Sequence, residues 1–192
     1  MTISLDHLTL FELTPPQLPE VAGEAGFTQV GLRLNPAAPP GELQHPMLGN
    51  SPMRRETLAR MQEAGVVVFD FGVFRLKRGV DVRAFEPVLE TAAALGAKHA
   101  VVNGDDPDPQ ILAELLRRLC ELGHGYGIRM NLEPTPWTGI PTLGAALRVI
   151  GSCAHPGARV MIDTIHVDRA NTTLEALAQG KRHAKAVFPR MM

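Results

Sequence analysis

Three side chains that can bind a metal ion or move a proton lie at the ends of segments with the composition of β-strands. Glu133 closes the segment 128–133, and Asp163 and His166 fall in the stretch V-M-I-D-T-I-H-V-D at 160–168. Both segments are rich in apolar residues, so we predict a strand in each. Because α/β proteins carry their chemistry at the C-terminal ends of parallel strands, we expect the three side chains to share one site.

A polar row on the segment 128–133 supports this interpretation. Side chains of a strand alternate between faces, so Arg129, Asn131 and Glu133 point the same way. In a parallel sheet covered by helices, that face meets a barrel interior or a cleft. Carboxylates with an imidazole suit Mn²⁺, Mg²⁺, Co²⁺ or Zn²⁺. We therefore predict a divalent cation at Glu133 and Asp163. The alternatives are an ion pair of Glu133 with Arg129, or carboxylates that only cap a loop.

Two more side chains lie near predicted strand ends. Asn103 ends the predicted strand 98–103 and can reach a substrate, although an Asp-rich turn before a Pro-capped helix explains the same residues. Trp137 is predicted to form a wall of the pocket, with a packed structural tryptophan as the alternative. The glycine-rich G-H-G-Y-G at 123–127 follows a predicted helix and precedes a strand, so we interpret it as a helix end rather than a phosphate-binding loop.

The composition excludes some classes of function. Lys+Arg (19) nearly balance Asp+Glu (20), and the formal net charge of −1 provides no overall field to hold nucleic acid or an anionic membrane. The apolar runs are too short to span a bilayer, and residues 1–12 lack the basic start and apolar core of a signal peptide. We expect a cytoplasmic protein. Cys120 and Cys153 form no CxxC motif and are predicted to be buried, reduced thiols.

Strands and helices alternate along the chain. A first strand is predicted at 3–10, and later strands start near 27, 66, 98, 128 and 158, a spacing of about 30 residues after the second. Helices are predicted at 14–25, 53–64, 81–95, from 109 onward, at 142–150 and at 172–180. The proline-rich loop 35–52 is predicted to be a lid. Regular β–α alternation predicts a parallel sheet in a single domain, residues 1–180.

Three motifs carry a resemblance to a known family. They are G-A-K-H-A-V-V-N-G-D-D-P-D at 96–108, L-E-P-T-P-W-T-G at 132–139 and I-D-T-I-H-V-D-R at 162–169. Their order resembles the xylose isomerase-like TIM barrels, which include sugar phosphate isomerases and epimerases and relatives of AP endonuclease family 2, over residues 3 to about 180. The resemblance implies an α/β fold with about six of the eight β–α units of a barrel. An open, doubly wound parallel sheet is the alternative fold.

The resemblance also implies roles for individual residues. Glu133 becomes a metal ligand and the acid/base, Asp163 a metal ligand, and His166 a substrate contact. Arg169 becomes a second contact for an oxygen-rich substrate. The implied reaction is isomerisation or epimerisation of a small sugar or polyol, with a divalent cation (Mn²⁺, Mg²⁺, Co²⁺ or Zn²⁺) and proton transfer beside a carbonyl.

The segment 181–192 departs from this pattern. Its sequence, K-R-H-A-K-A-V-F-P-R-M-M, is basic and is predicted to be a tail, and it lacks the late ligand and the second glutamate that the resemblance implies. A second hypothesis is therefore a non-catalytic binding or oligomerising module whose open sheet edges pair with a second copy. A third is a dehydratase, a lyase that uses the same groups.

Overall fold

The structure is a computed structural model, and it describes residues 3–34 and 45–183. The described strands are β1 (Ser4–Asp6), β2 (Gln29–Arg33), β3 (Val67–Leu76), β4 (His99–Gly104), β5 (Arg129–Leu132) and β6 (Ala158–Val160). The described α-helices are α1 (Gln17–Glu24), α2 (Pro52–Ala64), α3 (Glu86–Ala94), α4 (Pro109–His124), α5 (Leu143–Cys153), α6 (Thr164–Arg169) and α7 (Leu174–His183). None of these helices is both long and apolar enough to cross a bilayer.

The strands form one parallel sheet in which the spatial order follows the chain order, β1 to β6. An α-helix lies between each pair of successive strands from β1 to β6. This arrangement confirms the predicted α/β class. The six strands of the described residues also agree with the expected six β–α units.

The chain divides into two compact units, of which the first comprises residues up to Val73 together with Phe85–Ala100. Its core is built from apolar strand residues such as Val30, Leu32 and Phe71, all of which are almost fully buried. Helices α1 and α2 approach closely because Gly23 has no side chain: a Cβ there would lie 3.0 Å from Cβ of Ala64.

The second unit comprises Phe74–Ala84 and the chain from Val101 onward, and it contains the candidate site residues. Helix α4 covers its core with an apolar stripe, whose buried members include Leu112, Leu115, Leu116 and Leu119. Asp108 caps this helix, because its side chain accepts hydrogen bonds from the backbone nitrogens of Gln110 and Ile111. Cys120 and Cys153 are free thiols in this unit and are buried, which confirms their predicted burial.

The prediction of a first strand at 3–10 is correct for the first residues and wrong for the last four. Only Ser4–Asp6 is a strand, and His7–Leu10 forms a 3₁₀ helix. The reason is local, because the Asp6 side chain accepts a hydrogen bond from the backbone nitrogen of Leu8 at 2.8 Å and so begins a turn. Pro87 behaves as its chemistry requires: it lies in the first turn of α3, where no backbone N–H is needed.

The sixth strand and the last helix also differ from the predictions. The strand ends at Val160 rather than at residue 163, and a short helix, α6, follows Asp163. Helix α7 begins at Leu174 rather than at residue 172, is capped by Thr173, and extends past Gly180 to His183. Most of the predicted lid, residues 35–44, and residues 184–192 of the predicted tail lie outside the described residues.

Candidate metal centre

Glu133 directly follows β5, where its backbone nitrogen donates to the carbonyl oxygen of Val102 at 2.9 Å. Its side chain is only 3% exposed. The side-chain nitrogen Nδ2 of Asn103 donates to Oε2 of Glu133 at 3.1 Å. Arg129 is exposed, and among the described residues no ion pair joins it to Glu133. The ion pair considered as the structural alternative is therefore not formed.

Asp163 can cap a helix with one carboxylate oxygen and bind a metal ion with the other. Oδ1 accepts hydrogen bonds from the backbone nitrogens of Ile165 at 2.8 Å and His166 at 3.2 Å, which makes Asp163 the N-cap of α6. The side chain is 6% exposed. The capping role, which the sequence offered as an alternative to metal binding, is thus real, but it occupies one oxygen and leaves Oδ2 for another ligand.

Helix α6 brings His166 back to the two carboxylates. Glu133, Asp163 and His166 each offer one ligand atom, and these atoms lie within 4.8 Å of one another. The ring nitrogen Nδ1 of His166 is buried and has no hydrogen-bond partner among the described residues. A divalent ion binds such ligands at about 2.0–2.6 Å, so mutual ligand distances of this size fit a shared ion. His166, predicted as a substrate contact, is therefore also a candidate third ligand.

Trp137 and Arg169 lie next to this cluster. Trp137 is 65% exposed, so it is not the packed tryptophan of the structural alternative. Its ring meets the ring of His166 edge-on, with centroids 5.0 Å apart. The Cζ atom of Arg169 lies 6.0 Å from the Trp137 ring centroid. Contact of either residue with a substrate remains a prediction.

The Asn103 side chain is part of the candidate site, because it hydrogen-bonds to Glu133. Besides Glu133, its Nδ2 atom donates to Oγ1 of Thr135 at 3.3 Å, and that hydroxyl donates to the carbonyl oxygen of Glu133 at 3.3 Å. Thr135 was not singled out from the sequence, although its position two residues after Glu133 in the same motif was a signal that could have found it.

Replacing Asn103 with alanine is expected to weaken divalent-metal binding about 10–100-fold, the usual effect of removing a group that orients a metal ligand. Calorimetric titration with Mn²⁺ measures this. Thr135→Val keeps the Asn103–Glu133 hydrogen bond and is expected to have a smaller effect. Equal affinities of Asn103→Ala and the parent would show that Asn103 does not position Glu133.

The Asp-rich turn after β4 is held by arginines rather than facing the cluster. Arg75 pairs with Asp105 at 3.1 Å, and Arg78 lies 3.5 Å from Asp106. Asp106 is buried, and the backbone N–H of Asp108 and then the backbone N–H and guanidinium of Arg78 hold its pKa below its ordinary value. This turn is structural, as the alternative for these residues proposed.

The lowered pKa of Asp106 has a consequence for acid stability. A carboxyl with a lowered pKa in the folded state stabilises the fold above its unfolded pKa of about 3.9, and this stability is lost as pH falls through the folded pKa. Asp106→Asn should therefore flatten the acid side of the stability profile. Urea unfolding across the acid range measures it, with the exposed Asp168→Asn as control. Parallel acid limbs for parent and Asp106→Asn would contradict the expectation.

The sequence matches the family described as xylose isomerase-like TIM barrel over residues 19–188. The chain belongs to this family. The match decides between the two predicted α/β architectures in favour of the barrel type. Among curated proteins, no relative matches.

Several solved structures have a similar fold. The D-psicose 3-epimerase with D-tagatose from Clostridium cellulolyticum H10 has a TM-score of 0.79 at 14% identity, covering 97% of this chain and 72% of that one. The probable 3-DHS dehydratase AsbF from Bacillus anthracis has a TM-score of 0.76 at 17% identity, covering 97% and 72%. The IOLI protein, whose structure contains a zinc atom, has a TM-score of 0.75 at 16% identity, covering 93% and 68%. At these identities the similarity concerns the fold.

Proposed function

We propose that the protein is a divalent-metal-dependent isomerase or epimerase that moves a proton next to the carbonyl of a small sugar or polyol. The observation that carries the proposal is the cluster of Glu133, Asp163 and His166, with ligand atoms within 4.8 Å of one another. Two similar folds add support, since one contains a zinc atom and the other is an epimerase of a ketose.

The donor set of the cluster suits a divalent cation. Asp163 would hold the ion through Oδ2, His166 through a ring nitrogen and Glu133 through one carboxylate oxygen. Such an ion, when bound, polarises a carbonyl and an adjacent hydroxyl of the substrate. Both carboxylates are buried, which strengthens their attraction for a bound cation.

Glu133 is the proposed base. Asn103 fixes one of its oxygens through the 3.1 Å hydrogen bond, which limits rotation of the carboxylate. The carboxylate takes the proton from the carbon beside the carbonyl, and the electron pair moves toward the carbonyl oxygen. Return of a proton to the same carbon on its other face, from solvent water or another acid than Glu133, gives an epimer. Return of the proton by Glu133 to the former carbonyl carbon, while the adjacent hydroxyl passes its proton to the former carbonyl oxygen, gives an isomer.

Exchange of a carbon-bound hydrogen tests the proposal before the product is known. The Mn²⁺-loaded protein is incubated with a panel of ketoses, aldoses and their phosphates in deuterium oxide, and wash-in of deuterium is followed by NMR. Exchange is expected in the parent and is expected to fall at least about 100-fold in Glu133→Gln, which keeps the shape but not the basicity. The exposed Arg148→Gln is the control variant. Absence of exchange across the panel, with metal bound, would contradict the proposal and favour the non-catalytic module.

A dehydratase is the second candidate, because a similar fold is that of a probable dehydratase. The same base then removes the proton, but a hydroxyl on the next carbon leaves as water. Mass spectrometry of the products separates the two: the product has the mass of the substrate for isomerisation and is lighter by one water for dehydration.

A further inference from the structure

The guanidinium of Arg169 lies near the metal cluster, and its positive charge has no role in binding the metal ion. Arg169 is exposed, and in the described part of the chain no carboxylate forms an ion pair with it. In the same unit Arg75, Arg78 and Arg117 all pair with aspartate or glutamate. The positive charge of Arg169 is therefore available to a ligand.

Trp137 connects this charge to the cluster. His166 and Arg169 are three residues apart on α6, so they lie on neighbouring positions of one helix face. The Trp137 indole contacts both, with 5.0 Å between the ring centroids of Trp137 and His166 and 6.0 Å between Arg169 Cζ and the indole centroid. Arg169 thus borders the candidate metal centre on the side where Trp137 lies.

The net charge of the metal-loaded cluster indicates what Arg169 adds at its border. Two carboxylates, Glu133 and Asp163, compensate the charge of a divalent ion, so the loaded cluster has no net charge to attract an anion. Arg169 adds one positive charge at its border. A planar guanidinium matches the oxygens of a phosphate or a carboxylate in a paired hydrogen-bond geometry, and contact with the indole limits the conformations it must lose on binding.

We propose that the substrate carries an anionic group, a phosphate or a carboxylate, that Arg169 binds while the carbonyl end lies at Glu133. Trp137 supports the guanidinium and covers one side of the bound chain. This inference rests on the proposed function for the position of the carbonyl, whereas the anion site itself is tested by binding alone. The substrate class is therefore a sugar phosphate or a sugar acid.

The chain offers an intrinsic probe, because Trp137 is its only tryptophan. Fluorescence of the Co²⁺-loaded protein is titrated with D-fructose, with D-fructose 6-phosphate and with D-fructuronate, which share a keto group and differ in the anionic group. Calorimetry repeats each titration, so the result does not depend on the fluorescence response. Inorganic phosphate is the fragment probe for the anion site.

The anionic sugars are expected to bind the parent about 10–100-fold more tightly than fructose, the usual value of a charge-assisted hydrogen-bonded pair. Arg169→Gln is expected to abolish that advantage, so that the anionic sugars and fructose bind this variant with similar Kd values. Arg169→Lys is expected to keep part of it, because a lysine supplies the charge without the planar fork. The advantage should decrease with added salt. The relative Kd values of the phosphate and the carboxylate compounds decide between the two sources of the anion.

Matched variants keep the outcome unambiguous. Arg148→Gln removes an exposed arginine elsewhere in the same unit and is expected to change nothing. The proposal is overturned if the parent binds fructose and the anionic sugars equally, or if Arg169→Gln retains the preference. Deuterium exchange in fructose without any anion preference would refute the inference and leave the proposed function standing. An Arg169-dependent preference without exchange in any compound would support the anion site and contradict the proposed function.

Discussion

Replacing Asp163 with asparagine is expected to weaken divalent-metal binding by at least about 100-fold while leaving helix α6 in place. Groups that only hydrogen-bond to a metal ligand are worth about 10–100-fold in affinity, so loss of a ligand's charge should have at least the upper value. Asparagine caps a helix about as well as aspartate, so Oδ1 can still accept from the backbone nitrogens of Ile165 and His166. Calorimetric titration with Mn²⁺ and urea unfolding measure the two effects separately.

Asp163→Ala separates the cap from the ligand. It is expected to lose the metal in the same way and to lower the free energy of unfolding by a further ~1 kcal/mol, the usual value of an N-cap. Asp108→Ala is the matched control, since Asp108 caps α4 through the same kind of contacts but lies outside the cluster. It should destabilise the fold by a similar amount and leave metal affinity unchanged. A full metal affinity in Asp163→Asn would show that this carboxylate serves only as a cap.

The part of the site that follows from the repeated β–α units was predictable from the sequence. Asn103 lies near the C-terminal end of β4 and Glu133 directly follows β5, and parallel strands bring such positions to the same edge of the sheet. Their hydrogen bond at 3.1 Å is the result. The composition of the segment 160–168 likewise predicted that an acid and an imidazole meet near a strand end.

The way in which Asp163 and His166 meet was not predictable in the same manner. A helix of six residues has too few turns for an apolar period to show in the sequence, and its start depends on one side chain, Asp163, accepting two backbone hydrogens. The role of Trp137 depends on its contact with α6, which no spacing along the chain encodes. Contacts between loops that follow different strands depend on tertiary packing. The sequence alone therefore does not predict which residues of these loops meet.

Gly139 is the position where such a loop contact is expected to have the largest effect on stability. A Cβ added at Gly139 would lie 2.0 Å from the carbonyl oxygen and 2.6 Å from the carbonyl carbon of Asp106. Both are backbone atoms, so no side-chain rotation relieves the contact. Gly139→Ala is therefore expected to lower the free energy of unfolding by about 1–3 kcal/mol, the usual range for a forced overlap in a packed region.

The matched control for this substitution is Gly151→Ala in α5. Nothing lies within 4 Å of a Cβ added at Gly151, so alanine there should stabilise the helix by about 0.5–1 kcal/mol. Opposite signs for the same chemical change, measured by urea unfolding, would locate the effect in the close approach to Asp106. Equal stabilities of Gly139→Ala and the parent would mean that the loop moves away from Asp106 at little energetic expense.

The Gly139 substitution also tests how firmly the loop positions the site. The backbone nitrogen of Thr135 donates to the carbonyl oxygen of Ile140 at 2.9 Å. This hydrogen bond closes the loop 135–140, which follows Glu133 and contains Trp137 and Gly139. A displaced residue 139 must then move this closed loop rather than one residue. We expect native Gly139→Ala to show an altered emission of Trp137 and weaker Mn²⁺ binding through Glu133, whereas Gly151→Ala keeps both unchanged. If emission and metal affinity stay at parental values while stability falls, the loop yields at the Asp106 contact and the position of Glu133 does not depend on residue 139.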